Sequence, residues 1–239
     1  MYSDPYKKLD NPVWHAFQTM HGNLSVGTDT TKRYLPNILQ IIGFDNPKLG
    51  NLTEIESWVD VDEKFFVVGD LSPLPENWKY LKTLECIQMV CPELRDLKFK
   101  SSEAIIQLSN PEIEEILELI NLVQPGYFHK KTPELGSYYG IKKDGKLVAM
   151  AGERLRMSGF TEISAVVTHP DYTGKGFAQQ LVAHVARKNL EIKCIPFLHF
   201  VSSNIRAASV YELLGFKTRK TIPFHQIQLI HSSLTLPAT

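Results

Sequence analysis

The sequence has no excess of charge of either sign. Its 239 residues include 26 Lys and Arg against 26 Asp and Glu, so the formal net charge is zero. Proteins that bind nucleic acids without sequence preference usually carry surplus Lys and Arg, which displace counterions from phosphates. The composition therefore predicts that no nucleic acid is a partner, although a local basic patch is compatible with it. The hydrophobic share of 43% and the charged share of 22% are typical of a globular chain rather than a disordered one.

Long apolar runs and paired cysteines are also missing. No run approaches the roughly 18 apolar residues that a membrane-spanning helix needs, so no membrane partner is expected. Met1–Pro5 has no apolar stretch, which predicts that no secretory signal is present. Cys86, Cys91 and Cys194 are odd in number and lack the spacing of a metal site. We therefore expect buried free thiols, no metal ion and a cytoplasmic location.

The first hundred residues are predicted to mix helices with short strands. Asn11-Pro12 indicates the start of a helix, with the asparagine as its cap. Lys64–Val68 is an apolar run that predicts a short strand, and Trp78–Met89 predicts a helix that Pro92 ends. Nothing in this part of the sequence has a catalytic pattern.

From about residue 101 the order of elements changes. Ala104–Leu108 predicts a strand, and Ser109 or Asn110 caps the helix that follows it. Three further strands are joined by tight turns, namely Ser137–Ile141, Lys146–Arg156 and Glu162–Thr168. This order predicts an α+β fold, with a mixed, mostly antiparallel sheet flanked by helices. We assign residues 1–100 to an N-terminal α/β region and residues 101–239 to a second domain.

A glycine-rich loop follows the last of these strands. Thr173-Gly174-Lys175-Gly176-Phe177-Ala178 leads into a helix that carries Phe177, Leu181 and Val185 on one stripe. A strand, a glycine loop and a helix N-terminus direct backbone N–H groups and the positive helix dipole at one small volume. A pyrophosphate fits there without any side-chain charge. Gln179 replaces the third glycine of a Rossmann site and the P-loop pattern is absent, so phosphate binding outside those folds is predicted, with a plain tight turn as the alternative.

The residues downstream complete a pattern that resembles the GNAT N-acetyltransferase superfamily. Ile195–Val201 predicts a strand, and the segment after it reads Asn204-x-x-Ala207-Ala208-x-x-Tyr211-x-x-x-Gly215-Phe216. The family's phosphate loop reads Gln/Arg-x-x-Gly-x-Gly/Ala, which Thr173-x-x-Gly176-x-Ala178 matches except at its first position. The resemblance covers about residues 103–222. It implies the GNAT acyltransferase fold, with acetyl-CoA as cosubstrate.

A second likeness concerns the strands before the loop. Gly145–Arg154 together with Glu162-Ile163-Ser164 is similar to the C-terminal domain of glycine N-acyltransferases. On that layout the first hundred residues are either a degenerate second acyltransferase half or an extension that shapes the substrate site.

The resemblance implies catalytic roles for two residues. Tyr211 is expected to protonate the departing CoA sulfur, with packing in the core as the alternative. Glu162 is expected to be the general base, directly or through water, with an exposed glutamate on an edge strand as the alternative. It is expected to share a strand face with Ser164 and Val166. Glu153 on the preceding strand is the second candidate carboxylate. His169 before Pro170 is a further candidate base, although it lies beside the phosphate loop. His199 in its apolar strand is expected to be a core residue.

The resemblance also implies which residues hold acetyl-CoA. The strand Phe197–Val201 is expected to separate from the strand that ends at Thr168, making a slot for the pantetheine arm. The implied contacts come from the strand before the loop, from the loop and from the last helix: Val166, Val167, Thr168, Thr173, Gly174, Lys175, Gly176, Phe177, Ala178, Asn204 and Ala207.

These expectations together predict an acetyl-CoA-dependent N-acetyltransferase. The acetyl group passes to the amine of a small molecule by direct attack in a ternary complex, because no positioned Cys or Ser nucleophile is evident. The alternatives are a protein or peptide amine as acceptor, a non-catalytic CoA-binding or sensing module, and a loop that takes a nucleotide. A monomer or a homodimer is expected.

Overall fold

The computed structural model describes residues 4–99 and 103–231. The chain divides into two compact units. The first consists of Met1–Pro36, Gln40–Glu85 and Ile222–Thr239, and the second of Asn37–Leu39 and Cys86–Thr221. The predicted boundary between residues 100 and 101 lies outside the described residues, so the assignment of domains 1–100 and 101–239 stays a prediction.

The first unit is built on short strands. Its elements are α1 (Pro12–Phe17), β1 (Ser25–Gly27), β2 (Thr31–Tyr34), β3 (Ile41–Phe44) and β4 (Lys64–Val68), with β5 (Trp78–Val90) and β11 (Lys217–Leu229) extending over both units. The strands lie in the order β1-β2-β3-β4-β11, and only β3 and β4 pair in parallel. Ile42, Phe65 and Ile227 are fully buried at its core. The predicted helix after Asn11 and the strand Lys64–Val68 are confirmed.

The predicted helix over Trp78–Met89 is wrong, because this segment is strand β5. Its Leu, Lys, Glu, Gln and Met residues all have high helix propensity, which favoured the helix. Tertiary pairing decides otherwise. Cys86–Val90 of β5 aligns antiparallel with Phe197–Val201, and a strand in that position gains backbone hydrogen bonds and burial that outweigh propensity.

The second unit contains the remaining elements. They are β6 (Ile106–Leu108), α2 (Ile113–Val123), β7 (Tyr138–Lys143), β8 (Lys146–Met157), β9 (Phe160–Thr168), α3 (Phe177–Glu191), β10 (Ile195–Val201) and α4 (Ile205–Leu214). The strand order is β5-β10-β9-β8-β7-β6, with the open edge at β6. Only β9 and β10 pair in parallel, since α3 carries the chain back between them. The predicted α+β fold with a mixed, mostly antiparallel sheet is confirmed.

Local sequence signals explain the ends of several elements. Ser109 and Glu112 form a capping box before α2. The Ser109 hydroxyl accepts a hydrogen bond from the Glu112 N–H, and the Glu112 carboxylate accepts one from the Ser109 N–H. Asp144 and Gly145 join β7 to β8 with φ values of 51° and 77°, as a tight hairpin requires. Gly215 ends α4 in the left-handed conformation that its position predicted.

Helices cover both faces of this sheet. On the face that we call the α3 face, Ile163 of β9 and Leu198 of β10 pack with Leu181 of α3 and Tyr211 of α4. On the opposite, α2 face, Met150 and Val167 pack with Ile116, Leu119 and Ile120 of α2. The two faces matter for the site, because neighbouring residues of a strand point to opposite ones.

Candidate functional site

Strands β9 and β10 pair only over the first part of their length. Their parallel register runs from Ile195 opposite Phe160 to Leu198 opposite Ile163. Beyond that pair β10 continues to Val201 and β9 to Thr168. The strands therefore separate in the middle of the sheet, at a point that we call the fork, as the resemblance implied. Past the fork, the edges of both strands facing the gap offer backbone donors and acceptors to a ligand.

Strand β9 carries a bulge just beyond the fork. Ser164 aligns with Gly152 of β8 but Val167 aligns with Met150, so two residues of β9 oppose one of β8. Ala165 has φ 51°, which is uncommon for a residue with a side chain. Bulges re-aim strands and are frequent beside active sites. The bulge corrects the prediction that Val166 shares a face with Glu162, because Val166 packs on the α3 face instead.

The glycine loop lies at the beginning of α3. Gly174 and Gly176 adopt φ values of 79° and 80°, and Gly176 is the N-cap of the helix. Among the described residues, no side chain caps this helix, so its first N–H groups stay available for a ligand. A Cβ added at Gly174 would meet nothing within 4 Å, which indicates open space in front of the loop.

The side chains of the loop point away from that space or into the core. The Thr173 hydroxyl donates a hydrogen bond to the Pro170 carbonyl at 3.1 Å, within the turn. Thr173 stands where the family's loop has Arg or Gln, so the phosphate contact that the resemblance implies for such a side chain is replaced by a bond inside the turn. Lys175 is exposed and its Nζ lies 4.5 Å from the centre of the Tyr172 ring. Phe177 is buried in the core below α3. The anion-binding capacity of this loop consequently lies in its backbone.

Helix α4 brings Tyr211 to the α3 face beside the fork. Asn204 accepts a hydrogen bond from the Ala207 N–H at 3.0 Å and so caps the N-terminus of the helix. Both residues are among those predicted to contact acetyl-CoA. The Tyr211 ring lies 5.6 Å from that of Phe200, which is on β10 past the fork. Burial raises the pKa of Tyr211 to about 12. The phenol is therefore protonated at neutral pH.

Glu162 lies at the fork on the α2 face, but it is not an exposed edge-strand carboxylate. Its side chain is 0% exposed, and Arg154 binds both of its oxygens, at 2.8 and 2.5 Å. His199 Nδ1 lies 2.6 Å from Glu162 Oε1. Burial alone would raise the pKa of Glu162, but Arg154 and His199 outweigh it and lower the pKa to about 2. An ion pair this tight makes Glu162 a weak proton acceptor.

The polar network continues from His199 across the sheet. Gln88 on β5 aligns with His199 on β10, and its Nε2 lies 2.9 Å from His199 Nε2. On its other side, Gln88 Oε1 accepts a hydrogen bond from Arg219 Nη1 at 2.9 Å. Glu162, His199 and Gln88 are thereby linked in one row at the fork, with an arginine at each end.

Comparisons with known proteins match this arrangement. Residues 138–224 match the family described as FR47-like protein. The structure is similar to a GNAT-family protein of Novosphingobium aromaticivorans DSM 12444, named as a candidate acetyltransferase, with a TM-score of 0.81 and 27% identity over 92% of this chain and 98% of that one. The fold is that of GNAT-family structures, and residues 138–224 are FR47-like. The superfamily resemblance seen in the sequence is thus confirmed, whereas the glycine N-acyltransferase subgroup stays a prediction.

More distant structures share this fold. A GCN5-related N-acetyltransferase from Kribbella flavida gives a TM-score of 0.61 at 14% identity, over 95% of this chain and 96% of that one. A GCN5-related N-acetyltransferase-like protein from Streptococcus suis 89/1591 gives 0.56 at 14% identity, over 90% and 93%. Among curated proteins no sequence match is found. The GNAT fold supports acyl transfer as the general class of reaction.

Two other candidates for proton transfer have structural roles. Glu153 is buried, accepts hydrogen bonds from the Ser137 N–H and from Asn189 Nδ2 at 2.9 Å each, and faces α3 rather than the α2 face. His169 accepts a hydrogen bond from the Asp171 N–H at 3.3 Å and caps a turn.

Sequence reasoning missed the contact between His199 and Glu162. The two residues are 37 positions apart, and only the parallel register of β9 and β10 brings them together. The available signal was a histidine and a glutamate at matching places of two consecutive strands that a helix connects in parallel.

Two further observations concern the described part of the chain. Across residues 4–99 and 103–231, no three His, Cys, Asp or Glu side chains are grouped so that they could hold a metal ion. In the same ranges, the helices are too short or too polar to cross a membrane. The expectations of no metal, no membrane and no nucleic-acid partner stay expectations.

Proposed function

We propose that the protein is an acetyl-CoA-dependent N-acetyltransferase that acts on the amine of a small molecule. The observation that carries the proposal is the fork, which opens between β9 and β10 next to the uncapped N-terminus of α3. A thioester on a pantetheine arm fits the gap, where Val166, Val167 and Thr168 supply backbone groups. The pyrophosphate then meets the backbone N–H groups of Gly174–Ala178.

Tyr211 is the proton donor for the CoA sulfur in this proposal. The thiolate of CoA has an ordinary thiol pKa of about 8.5, and a nearby donor lowers the barrier to its departure. The position of Tyr211 beside Phe200, past the fork, supports the role. Because its pKa is raised to about 12, the phenol carries its proton at neutral pH and is available as a donor.

Direct attack of the amine is favoured over an acyl-enzyme intermediate. Cys86 is the thiol near the network at the fork, and burial raises its pKa to about 11. A thiol is a nucleophile only as its thiolate, and at neutral pH very little thiolate is present at such a pKa. Ternary-complex kinetics are expected in place of ping-pong kinetics.

The acceptor class rests on resemblance more than on contacts. A small amine such as an amino acid or a polyamine is proposed, and a protein or peptide amine is the second candidate. A cytoplasmic location and a monomeric or homodimeric state belong to the same proposal.

Gly174 offers a sharp test of the phosphate loop. Changing Gly174 to Ala adds a Cβ to the open space in front of the loop, and φ 79° is strained for alanine. Gly145→Ala is a matched control, since its φ is 77° and its Cβ also meets nothing. We expect both variants to lose about 1 kcal/mol of stability, while only Gly174→Ala weakens acetyl-CoA binding, by about tenfold. Calorimetric titration with acetyl-CoA, together with thermal unfolding, measures both effects.

The same titrations test the nature of the ligand. At a concentration of 100 times its dissociation constant, a ligand of the native state adds about 2.7 kcal/mol to stability. Acetyl-CoA and CoA are expected to raise the unfolding temperature, and ATP and NAD to leave it unchanged. Stabilisation by ATP or NAD alone would make the loop a nucleotide site and reject the proposal. If acetyl-CoA binds Gly174→Ala and Gly145→Ala with equal affinity, the pyrophosphate does not bind at this loop.

A further inference from the structure

We propose that the backbone of Glu93 and Arg95 positions Tyr211, by holding the end of the helix on which this tyrosine lies. The two residues belong to residues 91–99, a segment directly after β5 that we call the strap. The inference rests on the proposed function and deepens it, because it gives the last of the first hundred residues a positioning role in proton transfer.

The strap is packed on the α3 face of the second unit. It contains neither helix nor strand. Its first residue, Cys91, donates its backbone N–H to the Pro196 carbonyl at 2.9 Å. Three apolar side chains of the strap pack against the core cluster that includes Tyr211, namely Leu94, Leu97 and Phe99. The strap is therefore part of the structure that surrounds the tyrosine.

A hydrogen bond joins the strap to the end of α4. The Arg95 N–H donates to the carbonyl of Leu214, the last residue of the helix, at 3.0 Å. The last four carbonyls of a helix have no partner within it and need a donor from elsewhere. Leu214 is 0% exposed, so the strap provides the donor that water provides at an exposed helix end. Without this N–H, a buried carbonyl would lose its partner.

Gly215, directly after α4, allows the two backbones to lie in close contact. Its φ of 103° is in the left-handed region that glycine adopts most readily. A Cβ at this position would lie 2.9 Å from the Glu93 carbonyl oxygen and 3.3 Å from the Arg95 nitrogen. The Cys91 thiol, whose pKa burial raises to about 11, donates to the same Glu93 carbonyl at 3.3 Å. A larger residue at position 215 would therefore push the strap and the helix end apart.

The helix end determines where Tyr211 lies. The Tyr211 carbonyl accepts a hydrogen bond from the Phe216 N–H at 3.0 Å, and the centres of the two rings are 5.9 Å apart. Across residues 4–99 and 103–231, no hydrogen bond holds the Tyr211 hydroxyl. The position of the phenol beside the fork consequently depends on the placement of the helix. The contacts of Glu93 and Arg95 fix that placement.

Gly215→Ala tests the contact between strap and helix, with Gly159→Ala as the matched control. Gly159 lies between β8 and β9, its φ is 87°, and an added Cβ there meets nothing within 4 Å. Both variants strain the backbone, but only Gly215→Ala also separates the strap from α4. We expect it to lower kcat by about tenfold or more, since a misplacement of about 1 Å can cost about 100-fold. Gly159→Ala should keep wild-type kcat.

The affinity for the cofactor separates positioning from general damage. The proposed phosphate site lies at the loop before α3, so the dissociation constant of acetyl-CoA should change less than about twofold in Gly215→Ala. A wild-type kcat in this variant would overturn the proposal.

A double-mutant cycle shows whether the effect passes through Tyr211. In Tyr211→Phe the proton donor is already absent, so adding Gly215→Ala is expected to lower kcat by less than about twofold further. If Gly215→Ala causes the same loss in both backgrounds, the strap has only a general structural role and the proposal is overturned.

Hydrogen exchange gives a readout that does not need turnover. Arg95→Pro removes the N–H that binds Leu214 and leaves the sequence of α4 unchanged. We expect the Phe216 amide, which binds the Tyr211 carbonyl, to exchange about tenfold faster in Arg95→Pro and Gly215→Ala than in wild type or Gly159→Ala. If no amine is acetylated but exchange changes in this way, the proposed function fails while the attachment of α4 to the strap stands. If the protein is an active acetyltransferase and both strap variants keep wild-type exchange and kcat, the inference is overturned.

Discussion

Changing Tyr211 to Phe is expected to lower kcat by about 100-fold or more, which is the usual effect of removing a general acid. The expectation depends on what the hydroxyl does in the free protein. Within residues 4–99 and 103–231, Tyr211 Oη has no hydrogen-bond partner, and the ring packs against Phe200 and Phe216. Phenylalanine keeps that packing. The variant should therefore fold with nearly wild-type stability and bind CoA with unchanged affinity.

Steady-state kinetics with acetyl-CoA and an accepted amine give the answer. Tyr139→Phe is a suitable control, because this half-buried tyrosine of β7 contacts His184 and lies away from the fork. The control should retain wild-type kcat. If Tyr211→Phe turns over as fast as the control, Tyr211 is only a core aromatic, and the sulfur receives its proton from elsewhere.

Changing Glu162 to Gln is expected to reduce the free energy of unfolding by about 3 kcal/mol or more. The substitution keeps the volume of the side chain but leaves the guanidinium of Arg154 without its counter-charge in the sheet. Removing one partner of a buried ion pair typically costs about 3–5 kcal/mol, because the remaining charge stays desolvated. Chemical denaturation at pH 7 measures the loss. Glu114→Gln is the control. Glu114 pairs with Lys130 at 3.5 Å, and both side chains are exposed to solvent, so this substitution should change stability little.

The same pair predicts how stability depends on pH. The pKa of Glu162 is about 2 in the folded protein against 4.5 for an ordinary Glu, so its contribution is present above about pH 4.5. It is lost as the pH falls from 4.5 through 2, because the unfolded chain binds the proton first. The stability difference between wild type and Glu162→Gln should therefore shrink over that window. A difference that stays constant from pH 5 to pH 2 would show that the carboxylate is not held as an ion pair.

Elements with strong local signals were predictable from the sequence. The runs Lys64–Val68 and Ile195–Val201 are bounded by turn residues and form strands with those limits. The glycines of the loop and Gly215 adopt left-handed conformations, as their positions in the sequence predicted. Such features depend on a few neighbouring residues, so the chain itself carries the information.

Features that depend on distant partners were not predictable in this way. Trp78–Val90 has the composition of a helix, but it forms a strand whose end, Cys86–Val90, pairs with β10. The bulge at Ala165 has no glycine to mark it, and it changes the face on which Val166 lies. The contact of Glu162 with Arg154 and His199 depends on strand register. The sequence therefore indicated a carboxylate on this strand, but it did not indicate that Arg154 and His199 surround it.

The most direct test of the central claim is to incubate the protein with acetyl-CoA and a panel of small amines, following free CoA thiol and the acetylated product together. Amino acids, polyamines and a peptide with a free N-terminus make up the panel. The account predicts that at least one small amine is consumed, with one N-acetylated product per CoA released. If the protein binds CoA tightly but no amine in the panel is acetylated, the fork is a CoA-binding module and the account of catalysis is contradicted.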